Sequence, residues 1–436
     1  MSGLNTEGTV AEGLASHREV RSELRPGNLK ISAHRRFGLR HLLFCASMVV
    51  LMFSNDERYA VEFQAIGVGL IILSGGAFFA ANPRKPMSIT FFDAIILTSV
   101  FFSYCATFIS QESYVLAYTT FFLIAYLSVM VIAQQATADE LIKSILLSVL
   151  VIATIVIVFY SDMLLTALAP GALRRWELRE APFRMHPNLA GFVYGGFIVM
   201  TANAHSGGWG RLIKPAVILL CLAVMVAASA RGGLLAVVLT LTVYVLREII
   251  GGRNSRTYIV LIGVALSIFS LIFWEQILVY AIEMFDLNTK QRGLDSGGTG
   301  RFAIWQHGIE YISNRHWEIF IGSGMRSATS FPTESSYINL GIESGVFLTT
   351  AILFCFLLLL LYSYRWQRSE RGFYKFAFYT LLFAMFQSVF NRYLIAIGNP
   401  FSLCILIIAS KTSLKLFSHK GRYAEMSSQE TGPRHR

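Results

Sequence analysis

Arginine is concentrated in two polar stretches of this sequence, and its planar guanidinium group can bind a phosphate through two parallel hydrogen bonds. The first stretch, 161–186, contains four arginines within eleven positions: Arg174, Arg175, Arg179 and Arg184. The second, 283–341, contains Lys290, Arg292, Arg301, Arg315 and Arg326. Together the two stretches predict one anion-binding site. A plain surface role stays open for the longer stretch, because long loops between membrane helices tolerate positive charge.

Arg231 lies apart from these stretches, between two apolar runs in the sequence AASARGGLLAV. An arginine within a bilayer costs roughly 2.5–3.5 kcal/mol on insertion scales, so its side chain must reach water or a polar cavity. Gly232 and Gly233 follow it and allow the backbone or a ligand to approach closely. The side chain could extend to the membrane surface, but we expect it to point into a cavity.

Two further residues could accept a proton at such a site. Glu334 stands in PTESSYINLG, where the hydroxyl groups of the Ser-Ser-Tyr run ending at Tyr337 suit a sugar. His186 opens the sequence HPN, in which the proline fits the first turn of a helix. Glu334 is the preferred general base, with His186 as its substitute. Each residue could instead serve only to cap a helix.

Aromatic residues accompany the arginines of the longer stretch. Trp305, His307 and Trp317 could stack on sugar rings, although the spacing also fits an amphipathic helix lying on a membrane. The sequence contains no P-loop, GxSxG or HExxH motif, and its His, Cys and Asp residues do not show metal-ligand spacing. The predicted chemistry therefore uses neither a metal ion nor another cofactor.

Composition indicates what kind of fold must position these residues. Apolar residues make up 54% of the 436 positions and charged residues 14%, with a mean hydropathy of +0.55. Because a soluble domain carries roughly 25% charged residues, we predict an integral membrane protein. The five cysteines all lie in apolar runs and are expected to be small core residues. The net charge of +11 is carried mostly by loops and tails, so it does not indicate nucleic acid.

The apolar runs predict an all-α polytopic membrane protein with about twelve transmembrane helices. These runs are 39–54, 61–81, 88–110, 114–134, 141–161, 187–204, 212–229, 232–250, 257–281, 342–364, 373–390 and 395–411. Lysine and arginine favour the loops on the side of the N-terminus, which predicts that both termini are cytoplasmic. The predicted parts are a disordered tail at 1–38, a membrane domain at 39–411 with outer loops at 161–186 and 283–341, and a second tail at 412–436.

Several short motifs stand in a characteristic order along the chain. They are a glycine and arginine followed by tryptophan (Gly300, Arg301, Trp305), the Arg231–Gly232 pair, the Pro187–Asn188 helix start, and a Ser-Tyr pair before Gly-Ile-Glu-Ser-Gly. In this order they resemble the O-antigen ligase and polysaccharide polymerase family of bacterial inner membranes, over roughly 160–400. That family usually has a His-Asn pair where this chain has Glu334 to Tyr337. The chain is therefore more similar to the exopolysaccharide polymerase branch.

The resemblance implies a GT-C-like fold with one large periplasmic loop, and a glycosyltransferase in the inner membrane. An acceptor sugar hydroxyl would attack the anomeric carbon of a glycan on undecaprenyl diphosphate, and the lipid diphosphate would leave. The diphosphate would be bound by Arg184, Arg231 and Arg301, with Arg175, Arg179 and Arg326 as second candidates. Glu334 or His186 would accept the proton, and Tyr337 and Trp305 would contact the sugar.

The implied partners are the lipid-linked oligosaccharide, membrane lipid, a flippase and a chain-length regulator, with no nucleic acid. Two alternatives to a polymerase stay open. One is a ligase that moves a finished glycan to the lipid A core or another acceptor. The other is a polysaccharide or lipid transporter, although this chain lacks the charged or broken helices that a transporter would carry near the middle of the membrane.

Overall fold

A computed structural model describes residues 38–54, 60–110, 113–168, 182–204, 210–251, 278–279, 282, 301–315, 317–327, 333–367 and 372–430. Within this part of the chain the secondary structure is helical, without strands. The helices are α1 (Leu39–Phe53), α2 (Ala60–Ala81), α3 (Phe91–Ser110), α4 (Ser113–Gln135), α5 (Ala138–Leu168), α6 (Pro187–Asn203), α7 (Gly210–Ala227), α8 (Arg231–Gly251), α9 (Arg301–Ser313), α10 (Glu318–Ile321), α11 (Ser336–Trp366), α12 (Phe373–Gln387) and α13 (Pro400–Glu430). A 3₁₀ turn, Pro182–Arg184, precedes α6.

Among the described helices, α2, α3, α4, α5 and α11 are long and apolar enough to cross a membrane. A shorter apolar helix is α1, and the 213–227 part of α7 is another. Helices of this length match the ~30 Å hydrocarbon core of a bilayer. The chain is therefore a polytopic membrane protein.

Helix α6 lies inside the bundle, with nearly all of its residues buried. It packs against α7, α8 and α12. A Cβ atom on Gly233 of α8 would lie 2.4 Å from the Cα of Gly191, so the two backbones touch where both residues lack a side chain. This contact brings the beginning of α6, at Pro187, close to the beginning of α8, at Arg231.

Each predicted span other than 257–281 overlaps a helix of the structure. Almost all of 257–281 lies outside the described residues, as does the predicted tail at 1–38. The count of twelve spans and the GT-C-like arrangement therefore remain predictions.

Three helix ends differ from the expected ones. Helix α5 continues to Leu168, so the beginning of the predicted 161–186 loop is helical. Helix α11 begins at Ser336, within the predicted 283–341 loop. Helix α13 begins at Pro400, where the side chain of Asn399 accepts the first N–H groups, and it continues to Glu430 through most of the predicted tail at 412–436.

Helix α11 is kinked at Gly345, whose φ of 75° lies in the left-handed region that glycine adopts readily. The kink frees carbonyl groups in the preceding turn. Ser323 and Gly324 donate their backbone N–H groups to the carbonyls of Ile342 and Glu343, at 2.8 and 3.0 Å. The short segment 318–327 is thereby attached to the kink.

The same segment also contacts α3. The backbone N–H of Met325 donates to Ser103 Oγ at 2.7 Å. A polar side chain within a membrane helix thus satisfies backbone that is not itself helical. The segment 318–327 is held between α3 and α11, and this fixes the position of Arg326.

Candidate functional site

A cavity of about 530 Å³ lies among α2, α3, α4, α6, α11 and the connection from α12 to α13. Its volume is typical of ligand pockets, which are roughly 300–1,000 Å³. The charged and amide residues of its wall are Gln64, Arg184, His186, Asn188, Arg326, Glu334, Asn339, Glu343, Asn391, Arg392 and Asn399. Apolar side chains, among them Ile96, Phe122 and Ile352, form much of the remaining wall. Four predicted residues from two distant stretches, Arg184, His186, Arg326 and Glu334, therefore line one cavity.

Four residues form what we call the Asn188 cluster: His186, Asn188, Arg301 and Glu334. The Nη2 atom of Arg301 donates to Asn188 Oδ1 at 3.1 Å, and Asn188 Nδ2 donates to Glu334 Oε2 at 3.1 Å. Arg301 Nε also lies 3.4 Å from the same carboxylate oxygen. One asparagine therefore joins a guanidinium and a carboxylate that lie thirty-three positions apart in sequence.

His186 occupies the cap position of α6 while its ring lines the cavity. Its Nδ1 atom accepts the backbone N–H of Asn188 at 3.3 Å. A neutral imidazole whose Nδ1 accepts a hydrogen bond carries its proton on Nε2. In this tautomer Nε2 is a hydrogen-bond donor and a poor proton acceptor.

The backbone adopts a left-handed conformation at three residues that line the cavity. The φ angles are 50° at Arg184, 64° at Arg326 and 52° at Glu334. Non-glycine residues rarely adopt positive φ, and each instance costs on the order of 1–3 kcal/mol that the surrounding structure must offset. Such residues are concentrated at functional sites, and here all three carry a charged side chain into one cavity wall.

A second group, the Arg326 cluster, consists of Gln64, Tyr118, Arg326 and Glu343. Arg326 Nη1 donates to Gln64 Oε1 at 3.4 Å, and the guanidinium carbon lies 4.9 Å from the centroid of the Tyr118 ring. The carboxyl group of Glu343 accepts the backbone N–H of Arg326. A cation stacked on an aromatic ring and joined to an amide is held in a fixed position.

Arg231 is half-buried at the start of α8 and is not among the residues that line this cavity. Its predicted role at a polar cavity therefore stays a prediction. A Cβ atom on Gly232 would lie 2.8 Å from Phe390, and the Arg301 guanidinium carbon lies 5.4 Å from the centroid of the same ring. Phe390 thus contacts both the start of α8 and Arg301.

Two predicted sugar contacts have structural partners instead. The hydroxyl of Tyr337 donates to the carbonyl of Met385 in α12. Trp305 packs edge-on against Phe302 in α9, with ring centroids 5.5 Å apart. Neither Tyr337 nor Trp305 lines the cavity. The predicted Arg175 and Arg179 lie outside the described residues.

Several cavity residues were not predicted from the sequence as site residues. Glu343 is the glutamate of the Gly-Ile-Glu-Ser-Gly motif, so its motif was a usable signal. Arg392 is a single cation in the short segment between the predicted spans 373–390 and 395–411. Gln64, in an apolar helix, and Asn399, beside a proline, carried no signal that separates them from ordinary helix residues.

The family model described as O-antigen ligase matches residues 216–349. Over these residues the chain is similar to the O-antigen ligases. The matched segment contains six of the predicted site residues: Arg231, Arg301, Trp305, Arg326, Glu334 and Tyr337. The other four lie outside it: Arg175, Arg179, Arg184 and His186. No curated protein matches the chain.

The match confirms the resemblance given by the motifs. Proteins of that family have a glycosyltransferase-like activity of the ligase or polymerase type and act on lipid-linked oligosaccharide and membrane lipid. The matched segment contains one side of the cavity wall: Met325, Arg326, Glu334, Asn339, Leu340, Glu343 and Ser344.

Proposed function

We propose that this protein is a glycosyltransferase of the bacterial inner membrane that polymerises undecaprenyl-diphosphate-linked oligosaccharide repeats into exopolysaccharide on the periplasmic side. The observation that carries the proposal is the meeting of Arg184, His186, Arg326 and Glu334 in one cavity of an O-antigen ligase-like membrane protein. A lipid diphosphate has the charge that guanidinium groups bind, and a glycan has the hydroxyl groups that amides bind.

The arginines stabilise the leaving group in this proposal. Negative charge grows on the diphosphate oxygen as the bond to the anomeric carbon breaks. Arg184 and Arg392 line the cavity and are exposed, so their guanidinium groups can bind that charge. Removing one preorganised donor of this kind costs about 3 kcal/mol of transition-state stabilisation. Arg301, tied to Glu334, acts by positioning the base.

Glu334 is the base of the proposed reaction. The acceptor hydroxyl oxygen forms the new bond to the anomeric carbon, and its proton passes to the Glu334 carboxylate. The electron pair of the broken bond leaves with the lipid diphosphate. Asn188 and Arg301 hold the carboxylate in one orientation, which a base needs to reach its proton. A single displacement of this kind inverts the anomeric configuration.

A ligase that transfers finished glycan to the lipid A core or another acceptor is the second candidate, and the family description itself favours it. The chemistry is the same and only the acceptor differs. The sequence Glu334–Ser335–Ser336–Tyr337 favours the polymerase, because it stands where the resemblance leads one to expect the His-Asn pair of the ligases.

The test uses purified protein in proteoliposomes with the lipid-linked repeats of its own source bacterium. We expect Arg184→Ala to lower the rate of glycosidic bond formation at least about a hundredfold. Arg184→Lys should restore little of this rate, because lysine cannot form the two parallel hydrogen bonds of a guanidinium group. Arg247→Ala is the matched control. Arg247 lies near the C-terminal end of α8, stacks on Tyr364 and does not line the cavity.

The products then separate the candidate functions. A ladder of longer lipid-linked glycans supports the polymerase. Transfer only to an added lipid A core would identify a ligase, and movement of lipid-linked glycan across the bilayer without any new glycosidic bond would identify a transporter. Full activity of Arg184→Ala would refute the role of this cavity.

A further inference from the structure

We infer that Gln64, Arg326, Glu343 and Asn399 form a saccharide subsite that binds the hydroxyl groups of an uncharged sugar, separate from the place where the diphosphate binds. All four residues line the cavity. The inference rests on the proposed function for the identity of the ligand, and it assigns these residues to sugar recognition rather than to the leaving group.

The four residues form a continuous surface. Arg326 donates to Gln64 Oε1 at 3.4 Å, and its backbone N–H reaches the Glu343 carboxyl. A Cβ atom on Gly398 would lie 2.8 Å from Gln64 Nε2, so the amide of Gln64 lies against the turn that ends at Asn399. Side chains from α2, the 318–327 segment, α11 and the start of α13 therefore meet at one part of the wall.

Asn399 supplies a hydrogen-bond donor with no partner among the described residues. It is 4% exposed, and its Oδ1 caps α13 by accepting the N–H groups of Phe401 and Ser402 at 2.9 and 3.1 Å. The Nδ2 group is buried without a hydrogen bond. An unsatisfied buried donor costs roughly 1–3 kcal/mol, and a ligand oxygen that takes up the hydrogen bond recovers that cost. A sugar hydroxyl provides such an oxygen.

The charges of this surface favour a neutral ligand. The Arg326 guanidinium and the Glu343 carboxyl line the same cavity and carry opposite charges, and a Glu343 carboxylate would repel a phosphate. A hydroxyl group can both accept from an amide and donate to a carboxylate. Arg184 and Arg392, which the proposed function assigns to the diphosphate, also line the cavity and are exposed.

Substitution of Asn399 by serine removes the Nδ2 donor but keeps an oxygen that can cap α13. Serine caps a helix about as well as asparagine, but it lacks the Nδ2 group. Asn399→Asp likewise keeps the cap oxygen and removes the donor, while it adds a charge.

Two probes are titrated by saturation-transfer NMR into the full-length protein in detergent. One is the repeat oligosaccharide released by mild acid from the lipid-linked precursors, and the other is farnesyl diphosphate, which carries no sugar.

We expect Asn399→Ser and Glu343→Gln to weaken binding of the free oligosaccharide about tenfold and to leave farnesyl diphosphate binding unchanged. Arg184→Ala should show the opposite pattern. Equal loss of both probes in Asn399→Ser, or unchanged oligosaccharide binding, would overturn the subsite. If the wild-type protein binds farnesyl diphosphate but not the oligosaccharide, the subsite is wrong and the proposed function stands. If it binds neither probe, both proposals fail.

Discussion

Asn188 is the residue on which the geometry of the Asn188 cluster depends. Its Oδ1 accepts from the Arg301 guanidinium and its Nδ2 donates to the Glu334 carboxylate, both at 3.1 Å. Asparagine is suited to this place because one planar side chain presents an acceptor and a donor at once. Without it, Arg301 and Glu334 would keep only their 3.4 Å contact, and the carboxylate would lose its second support.

We expect Asn188→Ala to lower the rate of polymer synthesis at least about tenfold, since each lost hydrogen bond to a charged group is worth roughly 1.5–3 kcal/mol. The rate is measured on the lipid-linked repeats in proteoliposomes, with the amount of inserted protein equalised. Asn203→Ala is the control, because Asn203 ends the same helix and bonds only locally, to the carbonyl of Val199 at 2.9 Å. Equal rates in the two variants would remove the Asn188 cluster from the mechanism.

At the level of the elements, the kink of α11 determines where Arg326 and Glu343 lie. Gly345 has a φ of 75°, and a Cβ atom there would lie 2.3 Å from the carbonyl oxygen of Phe320. Only a residue without a side chain allows α10 to approach this closely. The kink in turn leaves the carbonyl groups free that hold the 318–327 segment in place.

Gly345→Ala should therefore destabilise the protein, because an alanine in left-handed conformation costs roughly 1–2 kcal/mol before the overlap with Phe320 is counted. We expect a lower Tm in detergent and reduced oligosaccharide binding. Gly69→Ala is the matched control: no atom lies within 4 Å of the added Cβ in α2, so we expect an unchanged or slightly higher Tm. A Tm of Gly345→Ala equal to that of Gly69→Ala would contradict this account of the kink.

Helix positions were predictable from the sequence because hydrophobic length alone specifies a membrane span. The meeting of Arg184 with Glu334 was predictable as well, since both lie in polar stretches that the apolar runs leave outside. The kink at Gly345 was not predictable, because the sequence GIESG alone is compatible with a continuous helix. Only the packing of α10 against this segment shows the bend. The roles of Gln64 and Asn399 also depend on packing between distant segments. The packing of Phe390 on Gly232, beside Arg231, is a further contact between distant segments that the sequence could not show.

Over the whole molecule, the cavity and a group of lysines lie at opposite ends of the bundle. Tyr118 lines the cavity near the start of α4, whereas Lys85 and Lys411 donate to the carbonyls of Gln134 and Ala136 at its far end. These two ends are ~24 Å apart along the helix. Lysine and arginine in short loops mark the cytoplasmic side of a membrane protein. The lysine end is therefore expected in the cytoplasm and the cavity on the periplasmic side.

Reporter fusions test this orientation. We expect green fluorescent protein fused after Arg436 to fluoresce, because it folds in the cytoplasm, and alkaline phosphatase inserted within 169–181 to be active, because its disulfides form only outside. The control is the exchanged pair, with phosphatase after Arg436 and fluorescent protein within 169–181. We expect it to show neither phosphatase activity nor fluorescence. Each fusion is first checked for membrane insertion. Activity of the exchanged pair would place the cavity in the cytoplasm, where no periplasmic polymerisation could use it.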